Sequence, residues 1–194
     1  MKLLCGYRFS ISGVTRAMAK QTITINRAPV LTLWASVVAE RLGFDRDVAL
    51  TLGKALAGLN AQSKGRALGI FKPPALEKGK RPQKHGLGED FRIELCGRAI
   101  PAKNTDHGVR AVVKDKAIEP EPVQAYLERG FKDDLKAVRG AMEALAKARE
   151  PDDLADEAFQ LYERFRPQIE PGKRGWGQKG TLDLGLISRL SRNR

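Results

Sequence analysis

The residues best suited to bind an anion lie near the carboxyl end of the chain, in the segment PGKRGWGQKG at 171–180. Lys173, Arg174 and Lys179 supply positive charge, and the neighbouring glycines let the backbone approach a phosphate closely. An exposed Trp176 would stack on a nucleic-acid base. The alternative is a surface loop in which Trp176 folds back onto the core as an anchor.

Two more basic groups lie in the middle of the chain. The segment 72–90 is rich in proline and glycine, which predicts a long loop. Its candidate phosphate-binding cations are Lys78, Lys80, Arg81 and Lys84. Lys64 and Arg66 come just before it, after a predicted helix. A basic arm adds salt-dependent, sequence-independent affinity for nucleic acid. The alternatives are a solvated linker and, for Lys64 and Arg66, cations that complement a helix C-terminus.

Few residues in the sequence have the types and spacing of a catalytic or metal site. The two histidines, His85 and His107, stand beside glycines in turn-like contexts, and Cys5 and Cys96 are isolated. They lack the spacing of a zinc site. His107 beside Asp106 is chemically capable of acid–base work, although a turn is the simpler interpretation. We therefore predict no catalytic residues, no metal and no cofactor, and leave open a site that converges from distant positions.

Residues 35–54, ASVVAERLGFDRDVALTLGK, resemble the generic bacterial helix-turn-helix pattern. In that pattern a small residue allows two helices to cross, and a glycine, here Gly43, allows the tight turn. The resemblance implies that Arg46, Thr51 and Lys54 face outward on a DNA-reading helix. Asp45 and Asp47 depart from the pattern, because phosphates would repel them where that helix meets DNA.

The net charge of +12 is regional. Residues 1–60, 61–100 and 171–194 each carry a net charge of +5, whereas residues 101–170 carry −3. A field of this sign draws anions to the surface. The basic segments therefore favour an anionic partner, with nucleic acid as the leading candidate.

Two predicted helices follow a short strand near the start of the chain. Residues 21–26 alternate like a strand, and apolar residues from Val30 to Leu42 recur at helical spacing. Asp45 begins a second helix that ends near 63–65. Its small residues, Ala49, Gly53 and Ala57, are spaced four apart and predict close packing with another helix.

The second half of the chain predicts a small antiparallel sheet followed by helices. FRIEL, RAIPA and VRAVV are short strand patterns separated by turn signals, and the strand near 22–25 is a candidate to join them. Helices are predicted at 122–129, 132–149 and 151–166, with a short final helix near 183–190. The pair 132–149 and 151–166 predicts a helical hairpin.

The predicted fold is α+β and mainly α-helical, with an N-terminal helical pair, a small antiparallel β-sheet and a C-terminal helical hairpin. Residues 1–17 are interpreted as a flexible extension or a mis-assigned start, because no continuous apolar run marks a signal peptide. Residues 18–71 form a helical, helix-turn-helix-like region, 72–90 a basic loop, and 91–190 the β-hairpin and helical region. We expect 18–71 and 91–190 to pack as one domain.

The stretch TITINRAPV…RALGIF at 22–71 resembles uncharacterised bacterial proteins. That resemblance implies a bacterial cytoplasmic protein and carries no function. The sequence as a whole favours a non-enzymatic protein that binds nucleic acid, most simply duplex DNA, through phosphate contacts. The alternative is a protein–protein interaction or regulatory module, whose groove would lie between the 132–149 and 151–166 helices or on the small-residue face of the second helix. A homodimer stays open, and a membrane partner is not expected.

Overall fold

The computed structural model describes residues 22–65, 88, 90–172 and 178–192. These residues confirm an α+β fold that is mainly α-helical. The helices are α1 (Arg27–Arg41), α2 (Arg46–Gly65), α3 (Pro120–Phe131), α4 (Leu135–Lys147), α5 (Pro151–Phe165) and α6 (Leu184–Leu190). The strands are β1 (Thr22–Asn26), β2 (Asp90–Leu95), β3 (Arg98–Thr105), β4 (Gly108–Val113), β5 (Lys116–Ala117) and β6 (Lys179–Asp183). None of the described helices combines the length and apolar character that a membrane span requires.

Helix α1 is the centre of the core. Every residue from Pro29 to Ala39 is buried, so the helix has no solvent-exposed face along this length. It contacts α2, α3, α4 and α5. A helix that is apolar on all sides belongs inside a protein rather than on its surface. The apolar face expected between Val30 and Leu42 is therefore part of a helix that is buried all round.

Trp34 fixes α1 against α5. Its side chain is fully buried, and the indole Nε1 donates a hydrogen bond to the carbonyl oxygen of Ala158 over 2.8 Å. The ring meets Phe165 edge-on, with the centroids 5.3 Å apart. A buried indole N–H needs such a partner, because leaving it unsatisfied costs free energy.

The small residues of α2 lie against α1, as their spacing predicts. Ala49, Gly53 and Ala57 are buried, and a methyl group on Gly53 would overlap the Thr32 carbonyl oxygen and the Ser36 hydroxyl. The hydroxyls of Thr32 and Ser36 donate to carbonyl oxygens one turn earlier in α1, over 2.9 and 2.8 Å. The polar groups at this contact are thus satisfied within α1, and α2 approaches closely.

Strands β2 to β5 form an antiparallel sheet in sequence order. FRIEL, RAIPA and VRAVV lie within β2, β3 and β4 as predicted. The turn between β4 and β5 has positive φ at both Lys114 and Asp115, 52° and 62°, which matches the twist of a two-residue hairpin. Helix α2 packs against β3 and β4, so the sheet covers the side of α2 that faces away from α1.

The prediction that the first strand joins this sheet was wrong. β1 pairs instead with β6, antiparallel, from Thr22 opposite Asp183 to Asn26 opposite Lys179. Gln168 flanks β6 on its other side, exchanging two 2.9 Å backbone hydrogen bonds with Thr181. A side chain on the buried Gly180 would come within 2.6 Å of the Gln168 carbonyl oxygen, so this close approach requires glycine.

The later helices bury their apolar faces in the same core as α1 and α2. α4 packs on α1 and α6, and α5 packs on α1. Arg139 of α4 pairs with Glu40 of α1 and, over 2.8 Å, with Glu143. Burial alone would lower the pKa of Arg139, but hydrogen bonds and charge from the two glutamates outweigh it and raise that pKa.

The contact between α1 and α2 predicts opposite effects for two glycine substitutions in α2. Gly53→Ala will lower the free energy of unfolding by about 1–3 kcal/mol, because the new methyl group has no space. Gly58→Ala, at an exposed position with open space around it, will raise the free energy of unfolding by up to about 1 kcal/mol, the difference in helix propensity. Urea unfolding followed by circular dichroism measures both. Equal effects of the two substitutions would contradict the close packing at Gly53.

Candidate functional site

Most of the predicted nucleic-acid-binding residues lie outside the described part of the chain. These are Arg66, Lys78, Lys80, Arg81, Lys84, Lys173, Arg174 and Trp176. Both interpretations of Trp176, as a stacking platform or as a core anchor, therefore remain predictions. Two of the candidates have a described backbone. Lys64 lies in the last turn of α2, and Lys179 is exposed at the first position of β6.

Nearly all the net positive charge belongs to residues outside the described part of the chain. The described residues contain 22 lysines and arginines against 21 acidic residues, a net charge of +1. The remaining residues contain 13 against 2, a net charge of +11. The described residues taken together are thus close to electrically neutral, and the net charge that attracts anions belongs mainly to the other residues of the chain.

Lys64 and Lys179 lie at the same end of α1. Lys179 is opposite Asn26, whose side chain caps the start of α1 by accepting from the Ala28 N–H over 2.8 Å. α2 folds back along α1 from the contact at Gly53, and it runs about 16 Å further to reach Lys64. From the same contact, at Thr32 and Ser36, α1 runs about 9–15 Å back to Asn26, so the last turn of α2 extends beyond the start of α1. We call this end of the molecule the basic end, defined by Lys64 and Lys179.

The described residues on either side of 66–87 lie at opposite ends of α2. Gly65 belongs to the basic end, whereas the Gly88 N–H donates to the Asn104 carbonyl oxygen over 2.9 Å, near the start of α2. Gln178, which follows 173–177, directly precedes Lys179. The segment 66–87 therefore meets the described residues at the basic end through Gly65 and near the start of α2 through Gly88, whereas 173–177 is followed by Lys179 at the basic end.

The expectation that Thr51 and Lys54 face outward on α2 was wrong. Thr51 is fully buried, and its hydroxyl accepts from the Ala111 N–H of β4 over 3.1 Å while donating to the Val48 carbonyl oxygen. The Lys54 ammonium lies 3.7 Å from the centre of the Tyr126 ring. Burial lowers the pKa of Lys54 and raises the pKa of Tyr126. Only Arg46 of the three is exposed, because β4 and α3 cover the middle of α2.

The small-residue face of α2 does not offer a protein-binding groove. Ala49, Gly53 and Ala57 are buried, and α1 occupies the space in front of Gly53. The stripe is a packing feature of the core. We therefore correct that part of the interaction-module hypothesis.

A pocket of about 630 Å³ opens at the end of α2 opposite the basic end. We call it the turn pocket. It lies between the turn that joins α1 to α2, the first residues of α2 and the β3–β4 hairpin, and its polar lining includes Asp45, Asp47, Asn104, His107 and Arg110. His107 does share a pocket with carboxylates, but Asp45 and Asp47 are exposed rather than buried. A buried acid–base pair is not formed there.

Arg110 is the functional candidate that the sequence did not single out. Only 6% of its surface is exposed, although it lies in a strand. Its Nη1 donates to the neighbouring Val109 carbonyl oxygen over 2.9 Å, and its Nε has no hydrogen-bond partner among the described residues. The available signal was a single cation in the otherwise apolar run GVRAVV, since a charge in such a run calls for a partner.

Two further kinds of reactive group are relevant among the described residues: a cysteine thiol and clusters of metal-binding side chains. Cys96 is buried at the β2–β3 turn, and burial raises the pKa of its thiol to about 12. Across residues 22–65, 88, 90–172 and 178–192, no three His, Cys, Asp or Glu side chains come together in a way that would hold a metal ion.

Comparison with protein-family models, curated proteins and solved structures gave no match to this chain.

The raised pKa of Cys96 predicts an inert thiol. In a Cys5→Ser background, an aromatic disulfide reagent at pH 8 will leave Cys96 unmodified in the folded protein and will modify it fully in denaturant, because the thiolate is the reactive form. The burial of the neutral thiol also stabilises the folded state below its ordinary pKa of 9.0, and this contribution is lost as the pH rises toward about 12. Rapid modification of the folded protein at pH 8 would contradict this burial.

Proposed function

We propose that this protein binds nucleic acid, most simply duplex DNA, through contacts to phosphates and without catalysing a reaction. The observation that carries the proposal is the regional charge of the chain: residues 1–60, 61–100 and 171–194 each carry a net charge of +5, whereas residues 101–170 carry −3. Clustered cations displace the counterions condensed on nucleic acid, and this release drives binding. We propose the bacterial cytoplasm as the compartment, on the resemblance of residues 22–71.

The basic end is the proposed contact surface. Lys179 is exposed there, the backbone of α2 ends there at Lys64 and Gly65, and Arg66, Lys173 and Arg174 are close to these residues in sequence. Cations on one surface can contact neighbouring phosphates of one duplex, whereas cations spread around a protein cannot. Cations that share one surface are therefore better explained by a binding site than by a role in solubility alone.

The burial of α2 argues for recognition of the backbone rather than of base edges. A recognition helix inserts into the major groove and so needs an open face. The middle of α2 is covered by α1, by β4 and by Tyr126 of α3. We therefore expect affinity that depends strongly on salt and weakly on sequence.

A salt titration with matched charge variants tests the proposal. The double variant Lys64→Gln/Lys179→Gln removes two cations from the basic end. Lys136→Gln/Lys147→Gln removes two exposed cations of α4, which packs near the opposite end of α1 at Glu40. The two variants have the same net charge, so a general reduction of charge cancels between them.

Fluorescence anisotropy with a labelled duplex, measured across salt concentrations, gives the slope of log affinity against log salt. We expect the basic-end variant to reduce the slope by about 0.9 for each phosphate that the protein no longer neutralises, and the α4 variant to retain the wild-type slope. Equal slopes for the two variants would place binding elsewhere. A wild-type protein that fails to bind duplex DNA at low salt would contradict the proposal itself.

A further inference from the structure

Arg110 is a buried cation without a counterion among the described residues. Only 6% of its surface is exposed, and its guanidinium donates to the backbone carbonyl of Val109. None of the ion pairs among the described residues includes it. Burying a charge is costly unless it is paired, and an apolar residue at this strand position would avoid the cost. The charge at this position, with Nε unbonded, points to a partner that comes from outside the chain.

The turn pocket that Arg110 lines also carries opposite charge. Asp45 and Asp47 lie on its wall at the start of α2, both exposed, and neither forms an ion pair with a described residue. Arg46 lies between them on the same wall and is also exposed, and its Nη2 donates to Oε1 of Gln124 in α3 over 3.4 Å. A simple anion that approached Arg110 would be repelled by these carboxylates. A simple cation that approached the carboxylates would be repelled by Arg110. A molecule with one charge of each sign satisfies both groups.

The size and walls of the turn pocket suit a small molecule. Its volume of about 630 Å³ lies within the usual range for ligand sites. Phe44, Val48 and Val109 add apolar surface to the charged groups. The lining is therefore mixed, with more polar and charged side chains than apolar ones, and charged groups placed on two sides of a pocket favour one orientation of a ligand.

We propose that the turn pocket binds a zwitterion of the α-amino-acid class. The ligand carboxylate meets the Arg110 guanidinium, whose fork of N–H donors matches a carboxylate. The ligand ammonium lies toward Asp45 and Asp47. This site is separate from the basic end, because it lies at the opposite end of α2, so it stands or falls independently of nucleic-acid binding.

Thermal unfolding of the full-length protein with single L-α-amino acids at millimolar concentration tests the site. At least one of the standard L-α-amino acids should raise the Tm, because a ligand that binds only the folded state stabilises it. The deaminated and decarboxylated analogues of that amino acid, each with one charge, should leave the Tm unchanged. An equal rise with the deaminated analogue would reduce the site to a simple anion site and overturn the proposal, as would the failure of every amino acid to raise the Tm.

Arg110→Met separates a ligand-binding role from a structural one. If Arg110 serves a ligand, the variant without ligand will melt at a higher temperature than wild type, because a buried unpaired charge has been removed, and the ligand-induced rise will disappear. A lower Tm together with an intact ligand-induced rise would contradict the assignment.

Two double variants test the carboxylates with equal change in charge. Asp45→Asn/Asp47→Asn keeps side chains that are compatible with the start of a helix and should weaken the affinity about tenfold or more, the effect of removing a charged partner. Asp106→Asn/Asp115→Asn removes two exposed carboxylates that do not line the turn pocket and should leave the affinity unchanged. Calorimetric titration measures both, and equal affinities of the two variants would exclude the ammonium subsite.

Discussion

The burial of α1 on all sides is the constraint on which the rest of the structure depends. A surface helix has one apolar stripe to cover, but the run from Pro29 to Ala39 must be covered all round. α2, α3, α4 and α5 are the helices that cover it. α3, α4 and α5 each turn an apolar face to the common core, whereas α2 is also covered by β3 and β4 on the side away from α1. The polar side chains of Thr32 and Ser36 enter the core because their hydroxyls bond within α1.

Most of the helices and strands follow from the sequence, since each of them has a local signal. The helices at 27–41, 46–65 and 151–165 have clear helical spacing, and the β2–β4 meander has short alternating runs between turns. β6 lacked such a signal, because KGTLD is short and contains a glycine. The pairing partner of β1 was predicted wrongly for a related reason. A local pattern defines a strand, but its partner depends on the three-dimensional path of the chain.

The candidate sites show the same contrast between local sequence signals and contacts that depend on the fold. The basic segments are visible in the sequence as local runs of lysine and arginine. Thr51 is different, because its burial depends on β4, which lies far along the chain and donates the Ala111 N–H. Arg110 could be seen as an odd cation in an apolar strand, but its lack of a counterion among the described residues is a property of its neighbours in space. Sequence patterns identify what a residue is able to do, whereas packing decides whether it is free to do it.

The ladder of β1 and β6 has a consequence for the order in which the chain can fold. It joins the first described strand to a strand near the last described residue, with Thr22 opposite Asp183. Trp34 likewise depends on a carbonyl group of α5. Closing the long loops between such distant residues costs much conformational entropy. The local α1–α2 pair and the β2–β4 meander are therefore expected to form before these contacts. During synthesis, α1 keeps an uncovered apolar flank until α5 has left the ribosome.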